Sequence, residues 1–289
     1  MTEKPILVTG ATGKLGRLIV ERLVQLQRPV RILTRRPDAA KDLFGSAVDI
    51  VAGDFDDAAS VGIATRGIGR LLLLSPIGDR LAAHQIAVAE AAALAGCARI
   101  VKISGSDWTI KPPGNSISGD AHSAVEQRLT ELSAESVSLR PNAWMQVSLH
   151  NTIRQVLNGH EIAALNPSAA VGYIDARDIA DVSVHQLLAD RVAGEVLILA
   201  GSAVVSPREI AALLSRLLGR PVGVVKKPAL PTSEDVDFEH RAVAQFASLI
   251  AAGRAAMTTN TVFDLLGRKP RTIETFIAET LAAETAQAG

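Results

Sequence analysis

The sequence is short of several things, and each shortage removes a class of function. Its 289 residues include one cysteine, Cys97, so no disulfide can form within the chain. The setting of that cysteine in "LAGCARI" marks a small buried hydrophobe rather than a reactive thiol. Neither sign of charge is in excess, since 30 basic and 30 acidic residues give a net charge of +0. No basic run occurs either, so the phosphate-neutralising stripe of a nucleic-acid binder is missing. No apolar run reaches the ~18 residues of a membrane span. The opening "MTEKPILVTG" reads as a strand rather than a signal peptide, and the expected home is the cytoplasm. No metal centre is expected. Aromatic residues amount to 3%, with one tyrosine and two tryptophans, so the position of each tryptophan carries information.

What is present is a regular alternation of short apolar runs with helical patterns. "ILVTG" (6–10), "VRILT" (30–34), "VDIVAGD" (48–54), "RLLLLS" (70–75) and "ARIVKIS" (98–104) are separated by amphipathic or alanine-rich helices. This is the signature of a parallel sheet covered on both faces. A Gly-, Pro- and Ser-rich loop is expected from Gly105 to Gly119, then a helix through "AHSAVEQRLTELSA" and a strand at "ESVSLRP" (135–141). Beyond Pro141 the regularity weakens. The pattern predicts helical 142–157, a short strand near 169–174, a helix from Asp175 to Leu188, a strand at 194–200 and a capped helix at "SPREIAALLSRLLG". A connector over 226–240 and two further helices close the chain. The fold class is α/β. A Rossmann-type, doubly wound domain is expected over 1–150 and a smaller mixed α/β domain, completing the substrate cleft, over 151–289.

Between the first strand and helix stands "TGATGKLG", with Gly10, Gly13 and Gly16 in the spacing G-x-x-G-x-x-G. Strand before and helix after supply the context a dinucleotide loop needs. Gly10 turns the chain off the strand, Gly13 lets backbone approach a pyrophosphate and Gly16 lets the helix pack closely. Thr12, Lys14 and Leu15 complete the loop, and the helix N-terminus presents free N–H groups to the anion. About twenty residues on, where an NAD-specific protein presents a carboxylate to the ribose, the chain reads "ILTRRPDAAK". Arg35, with Lys41 as a helper, suits the 2′-phosphate of NADP(H). Asp54 is placed either for the adenine amino group, with Phe55 beside it, or as a helix cap. Ser75 and Pro76 end the fourth strand, where such sheets place ligand contacts.

In order along the chain, "VTGATGKLG", "TRRP", "GDFDD", "LLLLSP", "CARIVKIS", "HSAVEQRL", "LRPNAWMQ", "ARDIADV", "GEVLILAG" and "TVFDLLGRKPRTIETFI" resemble the NmrA-like group of atypical short-chain dehydrogenases/reductases. The resemblance implies a Rossmann domain, a smaller C-terminal domain and a cleft between them. It also implies one of two activities: reduction of quinones and dyes with NAD(P)H, as in bacterial members, or redox sensing without turnover, as in fungal regulators.

Setting Glu126 in the acidic place of the short-chain dehydrogenase pattern puts His122 at the lysine position and Ser118 at the tyrosine position. A serine is no general acid near neutrality, whereas a histidine titrating near pH 7 can donate to a ribose or substrate oxygen. The bland alternative is a helix-face histidine bonded to Glu126 one turn later. Tyr173, with Arg177 four residues on, mimics the missing pair but lacks its loop context. Without the tyrosine, alcohol/ketone chemistry is disfavoured, and an epimerase or dehydratase lacks its acid–base pair. A flat conjugated acceptor, a quinone or a dye, is the expected small-molecule partner. His122 and Ser104 are the candidate catalytic residues, Ser104 also lying near the expected nicotinamide. Trp108, Asn142 and Trp144, with Met145, are the residues expected to hold the acceptor.

Overall fold

Apolar strands and amphipathic helices alternate from the start of the computed structural model, which describes residues 3–229 and 235–288. In order they are β1 (Ile6–Val8), α1 (Lys14–Gln25), β2 (Val30–Thr34), α2 (Pro37–Phe44), β3 (Asp49–Ala52), α3 (Ala58–Thr65), β4 (Arg70–Leu73), α4 (Leu81–Leu94), β5 (Arg99–Ile103), α5 (Asp107–Ile110), α6 (Ile117–Thr130) and β6 (Glu135–Pro141). The chain continues through α7 (Met145–Ser148), α8 (His150–Leu157), β7 (Ile162–Ala164), α9 (Ala176–Leu188), β8 (Val196–Leu199), α10 (Pro207–Leu218), β9 (Val224–Lys226), α11 (Phe238–Ala251), α12 (Thr261–Leu266) and α13 (Ile273–Ala288).

Seven strands form one sheet in the order β3-β2-β1-β4-β5-β6-β8, with the pairs from β3 to β6 parallel. The order reverses between β1 and β4, and doubly wound sheets bind ligands beyond the strand ends at such a reversal. Thr9 ties the two strand ends together there: its hydroxyl donates to Leu74 O and accepts from Leu74 N, both at 2.8 Å.

Packing divides the chain into two compact units, each assembled from several segments. The first comprises Met1–Gly105, Ile117–Arg140 and Ile179–Leu197; the second comprises Ser106–Ser116, Pro141–Asp178 and Ile198–Gly289. The single boundary expected after residue 150 is thus replaced by several crossings. In the first unit, Leu7, Leu71, Leu73 and Ile100 of the sheet pack with Val88 and Ala92 of α4 and Val125 of α6. Cys97 belongs to this cluster, and burial pushes its thiol up to about 11, the inert state its sequence setting suggests. In the second unit, Met145 and Ile153 pack with Leu214 of α10 and Phe276 of α13. Ser206 and Glu209 close the expected capping box on α10.

Several expectations need correction. The loop expected over 105–119 contains α5, and α6 begins at Ile117, so Ser118 and His122 share one helix. Prolines 112 and 113 and Gly114 mask the single turn at "DWTI" in the sequence. The strand near 169–174 reduces to isolated bridges, Trp144 with Ile174 and Val171 with Val205. A parallel pair, β7 with β9, appears instead. Three helices, not two, follow the connector, because the six residues of α12 are too few to show a period. Of the connector at 226–240, positions 230–234 lie outside the described residues. Among the described residues no helix is long and apolar enough to cross a membrane.

Candidate active site

The glycine loop has the geometry its spacing predicts. Gly10 adopts φ +63°, and its carbonyl accepts the Gly13 N–H at 3.0 Å. A Cβ on Gly16 would lie 2.1 Å from the Gly10 carbonyl oxygen, so only glycine lets α1 sit this close to the turn. Gly13 caps α1 without a side-chain acceptor. The first-turn amides, with the positive end of a 12-residue helix behind them, are left for an anion.

Past β2, Arg35 projects outward with 75% of its side chain exposed, Nε 3.7 Å from Asp54 Oδ2. At that separation and exposure the pair contributes little stability and can part for a ligand. Lys41 on α2 is exposed as well. The two placements open for Asp54 are narrowed: Asp57, not Asp54, caps α3 by accepting the Ala59 N–H, while Asp54 Oδ1 takes the Asp56 N–H. Phe55 is half-buried, its ring 5.7 Å from that of His84. Ser75 Oγ accepts from Gln85 Nε2 at 2.9 Å, and Pro76 is exposed beside it.

A polar network lies buried between β5, β6 and α6. Lys102 is wholly enclosed, with Nζ 2.8 Å from His122 Nδ1 and 3.1 Å from Ser104 Oγ. Ser104 donates in turn to Glu126 Oε1 at 2.5 Å, and Arg140 grips both oxygens of Glu126. Burial pushes the Lys102 ammonium down to about 7; Glu126 opposes that fall and Arg140 adds to it. The same burial, with the Lys102 charge beside it, holds His122 well below its usual value. Two expectations are corrected here. His122 bonds to Lys102 rather than Glu126, and it is a neutral ring at pH 7 rather than one titrating there. Ser118 is buried one turn earlier on α6.

In the second unit, the Trp108 indole donates to Asn142 Oδ1 and meets Phe246 edge-on at 5.1 Å. The Asn142 amide donates to Gly172 O and Ala255 O, so its hydrogen-bonding groups are committed to the protein. Trp144 is half-buried. Tyr173 is no substitute acid: burial pushes its phenol up to about 12, and Arg177 pairs with Asp175 and Glu279.

The model of the NmrA-like family matches residues 2–276. The chain belongs to that family. A relative from Streptomyces griseus, (4-alkanoyl-5-oxo-2,5-dihydrofuran-3-yl)methyl phosphate reductase, is 30% identical over 286 residues, 95% of this chain and 97% of the relative. Two solved structures share the fold. The NADPH-dependent quinone oxidoreductase of Escherichia coli, complexed with NADPH, has a TM-score of 0.82 at 22% identity, covering 96% of this chain and 99% of its own. The triphenylmethane reductase of Citrobacter sp., complexed with NADP(H), has a TM-score of 0.82 at 20% identity with the same coverage.

Lys102 is the residue of this NmrA-like chain that sequence reasoning passed over. A signal was available: a lysine inside an apolar strand, with strands expected on both sides and helices over both faces, has no route for its ammonium to reach water. Such a lysine needs an internal partner. The identity of that partner, twenty residues along the chain, was not legible.

Proposed function

We propose that this NmrA-like protein is an NADPH-dependent oxidoreductase that reduces quinone-like or other conjugated small-molecule acceptors. The glycine cradle with Arg35 in the place of a ribose-binding carboxylate carries the reading. The close approach of α1 to the Gly10 turn that Gly16 permits, and the uncapped amides of α1, fit a pyrophosphate held at Gly10, Thr12, Gly13, Lys14, Leu15 and Gly16. Arg35, helped by Lys41, meets a 2′-phosphate, while Asp54, Phe55, Ser75 and Pro76 flank the rest of the nucleotide. When bound, the cofactor supplies hydride. Ser104 holds the polar network in register by linking Lys102 to Glu126, and would lie on the side of the site that receives the nicotinamide, while His122 offers Nε2–H to the acceptor, its Nδ1 being occupied by Lys102.

Of the residues expected to hold the acceptor, Trp144 keeps the partial exposure a stacking surface requires. Trp108 and Asn142 bind each other and enter as support. The missing tyrosine suits an acceptor whose conjugated system takes up hydride without a strong acid poised on one oxygen.

Purified protein assayed with NADPH against a panel of quinones and dyes should consume the nucleotide with at least one acceptor. Tight NADPH binding without consumption across the panel would instead favour the second reading, a nucleotide-sensing regulator. Arg35→Ala should weaken NADPH about tenfold or more, matching the loss of ~1.5–3 kcal/mol from one charge-assisted contact, and leave NADH almost unchanged. Isothermal titration with both nucleotides checks this, and equal losses for the two would remove Arg35 from its role.

A further inference from the structure

We infer that Lys102 is the proton store of the site, a positioning residue that acts through the His122 ring without meeting the acceptor; the inference rests on the oxidoreductase reading above. The geometry allows Lys102 no other route. Its side chain is fully enclosed, so it cannot touch a substrate, and Nζ has three donors to place. Ser104 Oγ at 3.1 Å and the Ile103 carbonyl at 3.4 Å take two of them, and His122 Nδ1 at 2.8 Å takes the third. An imidazole that accepts at Nδ1 carries its proton on Nε2. His122 retains 7% exposure where Lys102 has none, so the ring stands between the ammonium and whatever occupies the site.

Hydride leaves the reduced acceptor with an added electron pair and a negative oxygen. His122 gives that oxygen its Nε2 proton, breaking one N–H bond, and its Nδ1 takes a proton from Nζ as a second N–H bond breaks. The acceptor is neutralised, the ring remains neutral in its other tautomer, and Lys102 is left as the free amine. After product leaves, a proton from water returns to Nε2 while Nδ1 hands its own back to Nζ. The charged groups facing Nζ set its readiness. Glu126 of α6 favours the ammonium, Arg140 of β6 disfavours it, and burial disfavours it most. With Lys102 as amine, the Glu126–Arg140 pair is balanced; as ammonium, the pocket holds one surplus positive charge. A store poised near 7 is full below neutrality and can be refilled there.

The test uses the full chain. Nitrogen-15 NMR of the protein with NADP+ bound should show Lys102 Nζ losing its charge near pH 7, with the His122 ring signals moving in step. That movement should vanish in Lys102→Met. With NADPH and benzoquinone, wild-type kcat should fall as pH rises through about 7, where the ammonium is lost. Lys102→Met should lower kcat at pH 6 at least about tenfold and abolish the pH limb, with KM and NADPH affinity within about threefold of wild type. Lys102→Arg keeps the charge and a donor toward Nδ1 but holds its proton, so it should be as slow and as flat. A Lys102 that stays charged to pH 9, a pH limb that survives in Lys102→Met, or restoration of wild-type kcat by arginine would each overturn the inference. Melting temperatures confirm that each variant is folded. If no acceptor is turned over at all, the oxidoreductase reading fails, and the NMR titration still decides separately whether Lys102 and His122 share a proton.

Discussion

Replacing Glu126 with alanine should lower the unfolding free energy by about 3–5 kcal/mol, the cost of breaking a buried ion pair from one side. The side chains of Glu126 and Arg140 are only 10% and 6% exposed. Alanine would leave the Arg140 guanidinium and the Lys102 ammonium facing each other without their shared anion, and Ser104 Oγ without its acceptor. Urea denaturation followed by circular dichroism measures the loss; a change below about 1 kcal/mol would mean that the pair is not what holds β6 to α6. Glu126→Gln, which keeps the volume and an acceptor oxygen, should lose less. Its activity makes a second, signed prediction. Glu126 favours the charged form of Lys102, so removing the carboxylate charge lowers that ammonium further. The decline in kcat should then begin at a lower pH than in wild type. An unchanged profile would disconnect Glu126 from Lys102.

Gly16→Ala should damage binding and folding together. The added Cβ would lie 2.1 Å from the Gly10 carbonyl oxygen, 2.7 Å from its carbon and 2.8 Å from Ala11 Cα, all backbone atoms that cannot rotate aside. Either α1 shifts along its axis or the Gly10 turn opens, and each moves the amides proposed to hold the pyrophosphate. Overpacking of this kind costs about 1–3 kcal/mol, and NADPH affinity should fall by about tenfold to a hundredfold. Gly62 provides the control. It lies within α3 with nothing inside 4 Å of a Cβ built there, so Gly62→Ala should stabilise the protein by about 0.5–1 kcal/mol and leave nucleotide binding alone. Similar affinities for the two variants would show that close approach at Gly16 is not what the loop requires.

The glycine loop was legible because its geometry is local. A glycine turn, a helix N-terminus and a residue at the next strand end lie within about thirty residues of one another, and the first β-α-β unit fixes their separation by backbone geometry alone. The polar network was only half legible. His122, Ser104 and Glu126 stood out individually through their positions on α6 and at the end of β5. Their bonding did not, since the pairing of β5 with β6 and the rotation of α6 decide which side chains face Nζ. The tryptophans show the limit from the other side. Rarity made Trp108 conspicuous, yet its partners Asn142 and Phe246 lie 34 and 138 positions away, and only packing of the second unit turns it inward.

The sequence by itself determined the alternation of strand and helix, the glycine cradle and the arginine that replaces a carboxylate after β2, because hydrophobic periodicity and backbone sterics act over a few residues. It also showed Ser118 and His122 where the short-chain dehydrogenase pattern, set by Glu126, has tyrosine and lysine. The tertiary structure decided how Lys102 is bonded. A lysine that reads as one polar residue in an apolar strand becomes, once strands and helices close over it, a group that must share its proton with a neighbour. Burial makes that so, and burial depends on contacts no single stretch of sequence contains.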